Sequence, residues 1–142
     1  MRLILVGSGA ERDTIAKRVA EAGLGERVEM RERVPDDELL ELYLGSLGVY
    51  FGPLDEDYGY VTIEGMAAAR PVVVTSDSGG PLEFVRDEEN GSIVDAEPAA
   101  IAAAFDRLFT DRQLARRLGS AGRTFVTDHI PQWPEVVRRL VG

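Results

Sequence analysis

Two unbroken apolar runs restrict the fold of this chain more than any other feature. They are LILVG at residues 3–7 and PVVVT at residues 71–75. A strand that is apolar at every position has no polar face to turn towards solvent. Such a strand is typical of a parallel sheet that helices cover on both sides. These runs therefore predict an α/β fold.

The rest of the chain alternates short strand patterns with amphipathic helical patterns, as βα units do. The patterns predict strands at 2–7, 27–32, 47–53, 71–77 and 91–95, and helices at 11–23, 35–45, 60–69, 98–110, 111–129 and 132–142. With 142 residues and no linker or repeat, we predict one domain over residues 1–142. Its expected architecture is a single Rossmann-like, doubly wound parallel sheet in three α/β/α layers.

Composition excludes several function classes. The formal net charge is -9, with 16 Lys and Arg against 25 Asp and Glu, which argues against nucleic acid as a partner. There is no cysteine and a single histidine, so disulfides and thiolate or histidine-based metal sites are excluded. No apolar stretch approaches the roughly 20 residues of a membrane span. Because no secretory pattern follows Met1, we expect a cytoplasmic protein.

In doubly wound sheets, ligands bind beyond the carboxyl ends of the strands. Four predicted loops lie there, at 7–11, 32–36, 52–59 and 75–81. In the first, Gly7 and Gly9 either form a tight turn or let backbone amides approach a phosphate; Arg12 stands where a dinucleotide fingerprint needs its third glycine. In the last, Ser78 is expected to cap a helix, and Gly79 and Gly80 fit a structural or a ligand-binding role equally well.

The stretch DEDYGYVTIEGMAA at residues 55–68 carries the most chemistry. Gly59 precedes the predicted helix, so the amides from Tyr58 to Val61 should be unpaired and attract an anion. Glu64, about one turn later, offers an acceptor to hydroxyl groups, as does Glu56 in the preceding loop. A nucleotide-sugar needs hydrogen-bond donors for its phosphates and acceptors for its sugar hydroxyls, and this stretch would offer both. The residues alone leave a second interpretation open, a solvated acidic loop with Glu64 complementing the helix dipole.

The same stretch resembles the retaining glycosyltransferases of the GT-B fold, family four in particular, whose C-terminal domain carries two glutamates separated by seven residues. The similarity covers EDYGYVTIEGMAAARPVVVTSDSGG and extends to LILVGSG, VPDDELLELYLGSLGVYFGP, NGSIVD and LGSAGRTFV. Gly65 stands where that family usually has alanine, and Ala69 and Arg70 replace a common glycine and threonine. We expect these departures to affect helix packing more than chemistry.

The resemblance implies a role for each matched residue. Glu64 would accept from the ribose hydroxyls, and Glu56, as the catalytic residue, would contact the donor sugar near the reacting carbon. The diphosphate and the sugar would bind to the amides of Tyr58, Gly59, Tyr60 and Val61. Val34 would line the base pocket, and the border of the crevice would be formed by Gly7, Ser8 and Gly9.

The implied reaction moves a hexose from a nucleoside diphosphate to an acceptor hydroxyl with retention, without a metal or other cofactor. The resemblance also implies a partner, an N-terminal acceptor-binding domain that this chain lacks, and it allows peripheral membrane association of the full enzyme. The isolated chain is expected to be inactive. Two alternatives are a stand-alone, non-catalytic nucleotide-sugar-binding or regulatory module, and a flavodoxin-like receiver domain. The second ranks low because no acidic pair follows the first strand.

Overall fold

A computed structural model describes residues 1–131 and 133–141. The elements alternate as the sequence predicts. Their bounds are β1 (Leu3–Val6), α1 (Arg12–Glu21), β2 (Val28–Arg31), α2 (Asp36–Gly45), β3 (Val49–Tyr50), α3 (Tyr60–Ala67), β4 (Val72–Thr75), α4 (Pro81–Phe84), β5 (Gly91–Val94), α5 (Pro98–Thr110), α6 (Arg112–His129) and α7 (Trp133–Val141). The two end residues of the helix predicted at 132–142 lie outside the described residues.

All the strand pairs between these elements are parallel, as predicted. Their hydrogen bonds form two ladders, β1–β2 and β3–β4–β5, where one continuous sheet was expected. β3 is two residues long instead of seven, since Gly48 precedes it and Gly52 and Pro53 follow it closely. The chain forms two compact units, Met1–Leu39 and the residues from Leu40 onward. The domain boundary at residues 1–142 stays a prediction.

The first unit contains β1, α1 and β2. None of its residues is fully buried, and the apolar side chains of β1 are largely exposed, including Leu3 at 48% and Val6 at 43%. The prediction that helices cover the run LILVG on both sides is therefore wrong for β1, since α1 buries none of its own residues and β1 pairs only with β2 among the described strands. Charged contacts lie within β2 and between β2 and α2: Arg31 pairs with Glu29 of the same strand at 2.7 Å and also with Glu38 of α2. The Arg31 guanidinium, mainly through its hydrogen bond, lowers the pKa of the Glu29 carboxyl.

The second unit contains the hydrophobic core, and β4 runs through it. Val72 and Val74 pack with Met66 of α3 and with Phe84 of α4. Val73 packs instead with a separate cluster from α5 and α6, made of Leu108, Leu114, Ala115 and Leu118. Since successive side chains of a strand point to opposite faces, helices cover β4 on both sides. The unbroken apolar run PVVVT is therefore buried as the sequence predicts, with all three valines at 0% exposure.

Candidate functional site

The loop that carries Glu56 is held by backbone hydrogen bonds to the loop that follows β4. The amide of Asp55 donates to the carbonyl of Asp77, and that of Glu56 donates to the carbonyl of Ser78, both at 3.0 Å. In return, the amide of Gly80 donates to the carbonyl of Glu56 at 2.6 Å. These bonds fix the backbone of Glu56 while its side chain remains exposed.

Gly79 and Gly80 allow these two loops to approach each other. Gly79 has φ +73, and a Cβ atom there would lie 2.7 Å from the carbonyl oxygen of Glu56. At Gly80 a Cβ atom would lie 2.4 Å from the carbonyl oxygen of Asp57. Neither separation is compatible with a side chain, so the glycine pair has a structural role in placing Glu56.

The capping role expected for Ser78 is wrong. Its side chain is fully buried, and its Oγ accepts from the amide of Thr75 at 3.1 Å and bonds the Thr75 hydroxyl at 2.9 Å. The helix α4 begins after Gly80 without a side-chain cap. The Ser78 hydroxyl bonds Thr75 because the two residues belong to one turn. A third bond closes this turn: the amide of Ser78 donates to the carbonyl of Thr75 at 3.1 Å.

The helix α3 begins where the sequence predicts. Gly59 precedes it in the left-handed conformation, with φ 82, and a Cβ atom at this position would lie 2.6 Å from Cγ of Pro81. Within the described part of the chain, no hydrogen bond is donated by the backbone amides of Tyr58, Gly59, Tyr60 and Val61. Unpaired amides at a helix N-terminus bind anions well, because the helix dipole adds to their partial positive charge.

Aromatic rings surround this helix start. The ring of Tyr58 contacts that of Phe84 edge-on, with 5.0 Å between centroids, and that of Tyr60 at 4.9 Å. Phe84 is buried, so it anchors Tyr58, whereas Tyr60 is 70% exposed. The start of α3 thus combines free amides with an exposed aromatic surface.

Glu64 lies on the second turn of α3 and is exposed, although its neighbours Gly65 and Met66 are buried. The hydroxyl of Tyr43, on α2, donates a hydrogen bond to its Oε2 at 2.9 Å. Burial raises the pKa of the Tyr43 phenol, and the Glu64 carboxylate raises it further. Tyr43 therefore stays protonated and able to donate at neutral pH.

The structure brings six of the predicted site residues together in the second unit, on a single stretch of loop and helix. They are Glu56, Tyr58, Gly59, Tyr60, Val61 and Glu64. The other four belong to the first unit: Gly7, Ser8 and Gly9 connect β1 to α1, and Val34, which is half-buried, precedes α2.

The loop between β1 and α1 is open. Nothing lies within 4 Å of a Cβ atom built on Gly7 or on Gly9. Gly7 has φ +148, a conformation that side chains rarely adopt, and its amide donates to the carbonyl of Arg31 at 2.9 Å. Gly7 thus has a structural reason to be glycine, which favours the tight turn without excluding a ligand.

Tyr43 is the contact that sequence reasoning missed. It is separated from Glu64 by 21 positions and stands in an ordinary amphipathic helix, ELLELYLG. No local pattern indicates the pairing, since Tyr43 and Glu64 come together only in the folded chain. An aromatic residue with a polar end, near the end of a helix, was the one available signal.

The described residues contain neither a candidate metal site nor a candidate membrane span. In residues 1–131 and 133–141, no group of three or more His, Asp or Glu side chains is arranged to hold a metal ion. Over the same ranges, no helix has the length and apolar character that crossing a membrane requires.

Comparison with known proteins adds to this geometry. Residues 1–125 match the family described as Glycosyl transferases group 1. The chain belongs to this family. The resemblance to glycosyltransferases seen in the sequence is thereby confirmed, and retention stays a prediction.

Two relatives illustrate the family. The chain is 34% identical to the D-inositol 3-phosphate glycosyltransferase of Nocardia farcinica, over 84% of its own length and 28% of the relative. It is 31% identical to a GDP-mannose-dependent alpha-(1-6)-phosphatidylinositol monomannoside mannosyltransferase of Mycobacterium tuberculosis, over 92% of its own length and 35% of the relative. The chain thus spans about a third of the length of these two relatives.

Solved structures agree on the fold. The sucrose-phosphate synthase from Thermosynechococcus elongatus superposes with a TM-score of 0.86 at 32% identity, covering 98% of this chain and 38% of that one. The C-terminal domain of a group 1 glycosyl transferase, LpcC from Francisella tularensis, superposes with a TM-score of 0.81 at 23% identity, covering 90% and 69%. The predicted α/β, Rossmann-like fold of one half of a GT-B protein is confirmed.

Proposed function

We propose that this chain is the nucleotide-sugar-binding half of a retaining glycosyltransferase, which transfers a hexose from a nucleoside diphosphate to an acceptor hydroxyl. One observation carries the proposal. The start of α3 offers four unpaired amides, with Glu56 before them and Glu64 after them on the same stretch of chain. Membership of the group 1 glycosyltransferases supports sugar transfer, and the mycobacterial relative is described as GDP-mannose-dependent.

The proposed position of the diphosphate is the start of α3, at the amides of Tyr58, Gly59, Tyr60 and Val61. As the bond to the sugar breaks, negative charge grows on the diphosphate oxygen. Amides that already point at that oxygen stabilise the charge without having to reorient. Gly59 sets the direction of the chain at this point through its left-handed conformation, and Pro81 lies so close that a Cβ atom on Gly59 would not fit.

The two glutamates would recognise the groups on either side of the diphosphate. In the proposal, Glu64 accepts hydrogen bonds from the ribose hydroxyls, and Glu56 is the catalytic residue that contacts the sugar hydroxyls near the reacting carbon. A carboxylate is an acceptor with about four lone-pair sites, which suits neighbouring hydroxyls. Roles for Val34 in the base pocket, and for Gly7, Ser8 and Gly9 at the crevice border, stay predictions.

The rest of the enzyme is also part of the proposal. Because the chain spans about a third of its relatives, we propose a partner domain that holds the acceptor and excludes water, without which transfer does not proceed. Metal-independent transfer, a cytoplasmic location and peripheral association of the full enzyme with a membrane belong to the same proposal.

Calorimetric titration with UDP-, GDP- and ADP-sugars tests this function. For the sugar that binds, Glu64→Ala should weaken affinity about tenfold or more, as expected when hydrogen bonds to a charged acceptor are lost. Glu21→Ala is the matched control, since Glu21 is an exposed acid on α1 of the first unit. Equal affinity of Glu64→Ala and Glu21→Ala would contradict the role of Glu64.

Transfer itself is tested in the full-length enzyme. There, Glu56→Gln should lower kcat while the nucleoside diphosphate still binds. Binding without transfer by the unaltered full-length protein would favour the non-catalytic module instead.

A further inference from the structure

Glu64 is held by a residue to which no role has been assigned. A glutamate on the exposed surface of a helix ordinarily samples several rotamers, and fixing them on ligand binding costs free energy. Here the hydroxyl of Tyr43 donates to Oε2 of Glu64 at 2.9 Å. Oε1 of the same carboxylate has no hydrogen bond from the described residues. The carboxylate is therefore fixed through one oxygen while the other remains available.

Tyr43 is itself held in place by partial burial of its side chain and by hydrogen bonds at the end of its helix. Its side chain is half-buried. At the end of α2, the hydroxyl of Ser46 donates to the carbonyl of Tyr43 at 2.9 Å, and Nη1 of Arg70 donates to the carbonyl of Ser46 at 3.2 Å. Arg70 closely follows the helix that carries Glu64. These bonds connect the end of α2, which carries Tyr43, to the segment just after α3, which carries Glu64.

We propose that Tyr43 is a positioning residue for nucleoside recognition, which holds the Glu64 carboxylate in the orientation that accepts from ribose hydroxyls. This inference rests on the proposed function, because it takes Glu64 to bind the ribose. Tyr43 acts through Glu64 and needs no contact with the ligand. Its hydroxyl reduces the rotamer freedom that Glu64 would otherwise lose on binding.

The hydroxyls of the ligand provide the test. Calorimetry measures the affinity of the unaltered chain, Tyr43→Phe and Tyr50→Phe for two ligands. The first ligand is a nucleoside diphosphate, and the second is its dideoxy analogue, which lacks both ribose hydroxyls. Tyr43→Phe should weaken the affinity for the nucleoside diphosphate by about three- to tenfold, because binding then has to order one free side chain. It should leave the dideoxy analogue unaffected, because that ligand gives Glu64 nothing to bind.

Tyr50→Phe is the matched control. It removes the same hydroxyl group from β3, where Tyr50 makes no hydrogen bond through its side chain to the described residues. It should leave both affinities unchanged. In the Glu64→Ala background, Tyr43→Phe should have no further effect, since the residue through which it acts is gone.

Other outcomes separate this inference from the proposed function. If the unaltered chain binds and Glu64→Ala weakens binding, but Tyr43→Phe does not, the inference alone is overturned. Equal weakening of both ligands by Tyr43→Phe, or its failure to fold, would assign the hydroxyl to stability and overturn the inference too. Two results would contradict the proposed function, and the inference with it. One is that the unaltered chain binds no nucleoside diphosphate, and the other is that Glu64→Ala binds it with the same affinity as the unaltered chain.

A ligand-free measurement examines the hydrogen bond itself. Burial raises the pKa of both Tyr43 and Tyr50, so alkaline titration of phenolate absorbance should show a late-ionising fraction to which both contribute. Tyr43→Phe should remove the Tyr43 part of that fraction, and Tyr50→Phe the other part. Glu64→Gln should bring the Tyr43 part to lower pH, because the carboxylate helps to raise the Tyr43 pKa. A late fraction that is unchanged in Glu64→Gln would contradict the contact on which the inference depends.

Discussion

The amide nitrogen of Gly80 lies 2.6 Å from the carbonyl oxygen of Glu56. This bond joins the loop after β4 to the loop that carries the proposed catalytic carboxylate. It exists because Gly80 has no side chain: a Cβ atom would lie 2.4 Å from the carbonyl oxygen of Asp57. The position of Glu56 is therefore decided by a residue 24 places further along the chain.

Gly80→Ala should separate these loops. We expect the free energy of unfolding to fall by about 1–3 kcal/mol, as for other substitutions that force extra atoms into a packed region. Denaturant unfolding measures the change. Gly25→Ala is the control, since nothing lies within 4 Å of a Cβ atom at Gly25. A Gly80→Ala chain as stable as Gly25→Ala would refute the close approach.

Gly59→Ala should destabilise the chain for two reasons. The left-handed conformation costs alanine about 1–2 kcal/mol, and its Cβ atom would lie 2.6 Å from Cγ of Pro81. The two causes can be separated by thermal unfolding of Gly59→Ala, Pro81→Ala and the double variant. The double variant should be more stable than the sum of the single changes predicts, because Pro81→Ala removes the colliding atom. Simple additivity would show that the collision with Pro81 does not matter.

Ala69→Gly should stabilise the chain, an uncommon direction for a substitution. Ala69 follows α3 with φ 56, a left-handed conformation that glycine adopts without strain. Relief of the strain raises the free energy of unfolding, whereas the greater freedom of glycine in the unfolded chain lowers it. The net gain is up to about 1 kcal/mol. The matched control is Ala67→Gly, which should lose about 0.5–1 kcal/mol because Ala67 is exposed in the helix. Destabilisation by both variants would contradict the strain at Ala69.

Stability should fall at alkaline pH through Tyr43. Its pKa in the folded chain is raised, first by burial and then by Glu64. Below the ordinary tyrosine pKa of about 10, folded and unfolded chains both keep the proton and the contribution to stability is fully present. Above that pH the unfolded chain releases its proton first, so the free energy of unfolding decreases as pH rises towards the raised pKa.

Melting temperatures measured from about pH 9 to about pH 11, across the ordinary tyrosine pKa, would reveal this loss. Tyr43→Phe should make the decrease shallower. Glu64→Gln should have a smaller effect in the same direction, because burial of the phenol remains. The same slope in all three chains would show that Tyr43 does not contribute.

The sequence indicated the fold well because its signal is local. The apolar run of β4 predicted burial on both faces, and Val72, Val73 and Val74 are fully buried. The start of α3 was equally readable, since Gly59 and the apolar helix after it are adjacent in the chain. β3 was predicted too long because its apolar pattern continues past the flanking glycines, whereas ladder pairing does not.

For the candidate site, the sequence by itself determined which residue types stand near one another: Glu56, the amides after it and Glu64, all within one loop and one helix. Tertiary structure alone decided how they are held. Gly80 fixes the backbone of Glu56, Pro81 lies against Gly59, and Tyr43 holds the carboxylate of Glu64. The physical reason is how far apart in the sequence the contacting residues are. Helix starts and apolar runs depend on neighbours in sequence, but these contacts form between distant segments that only packing brings together.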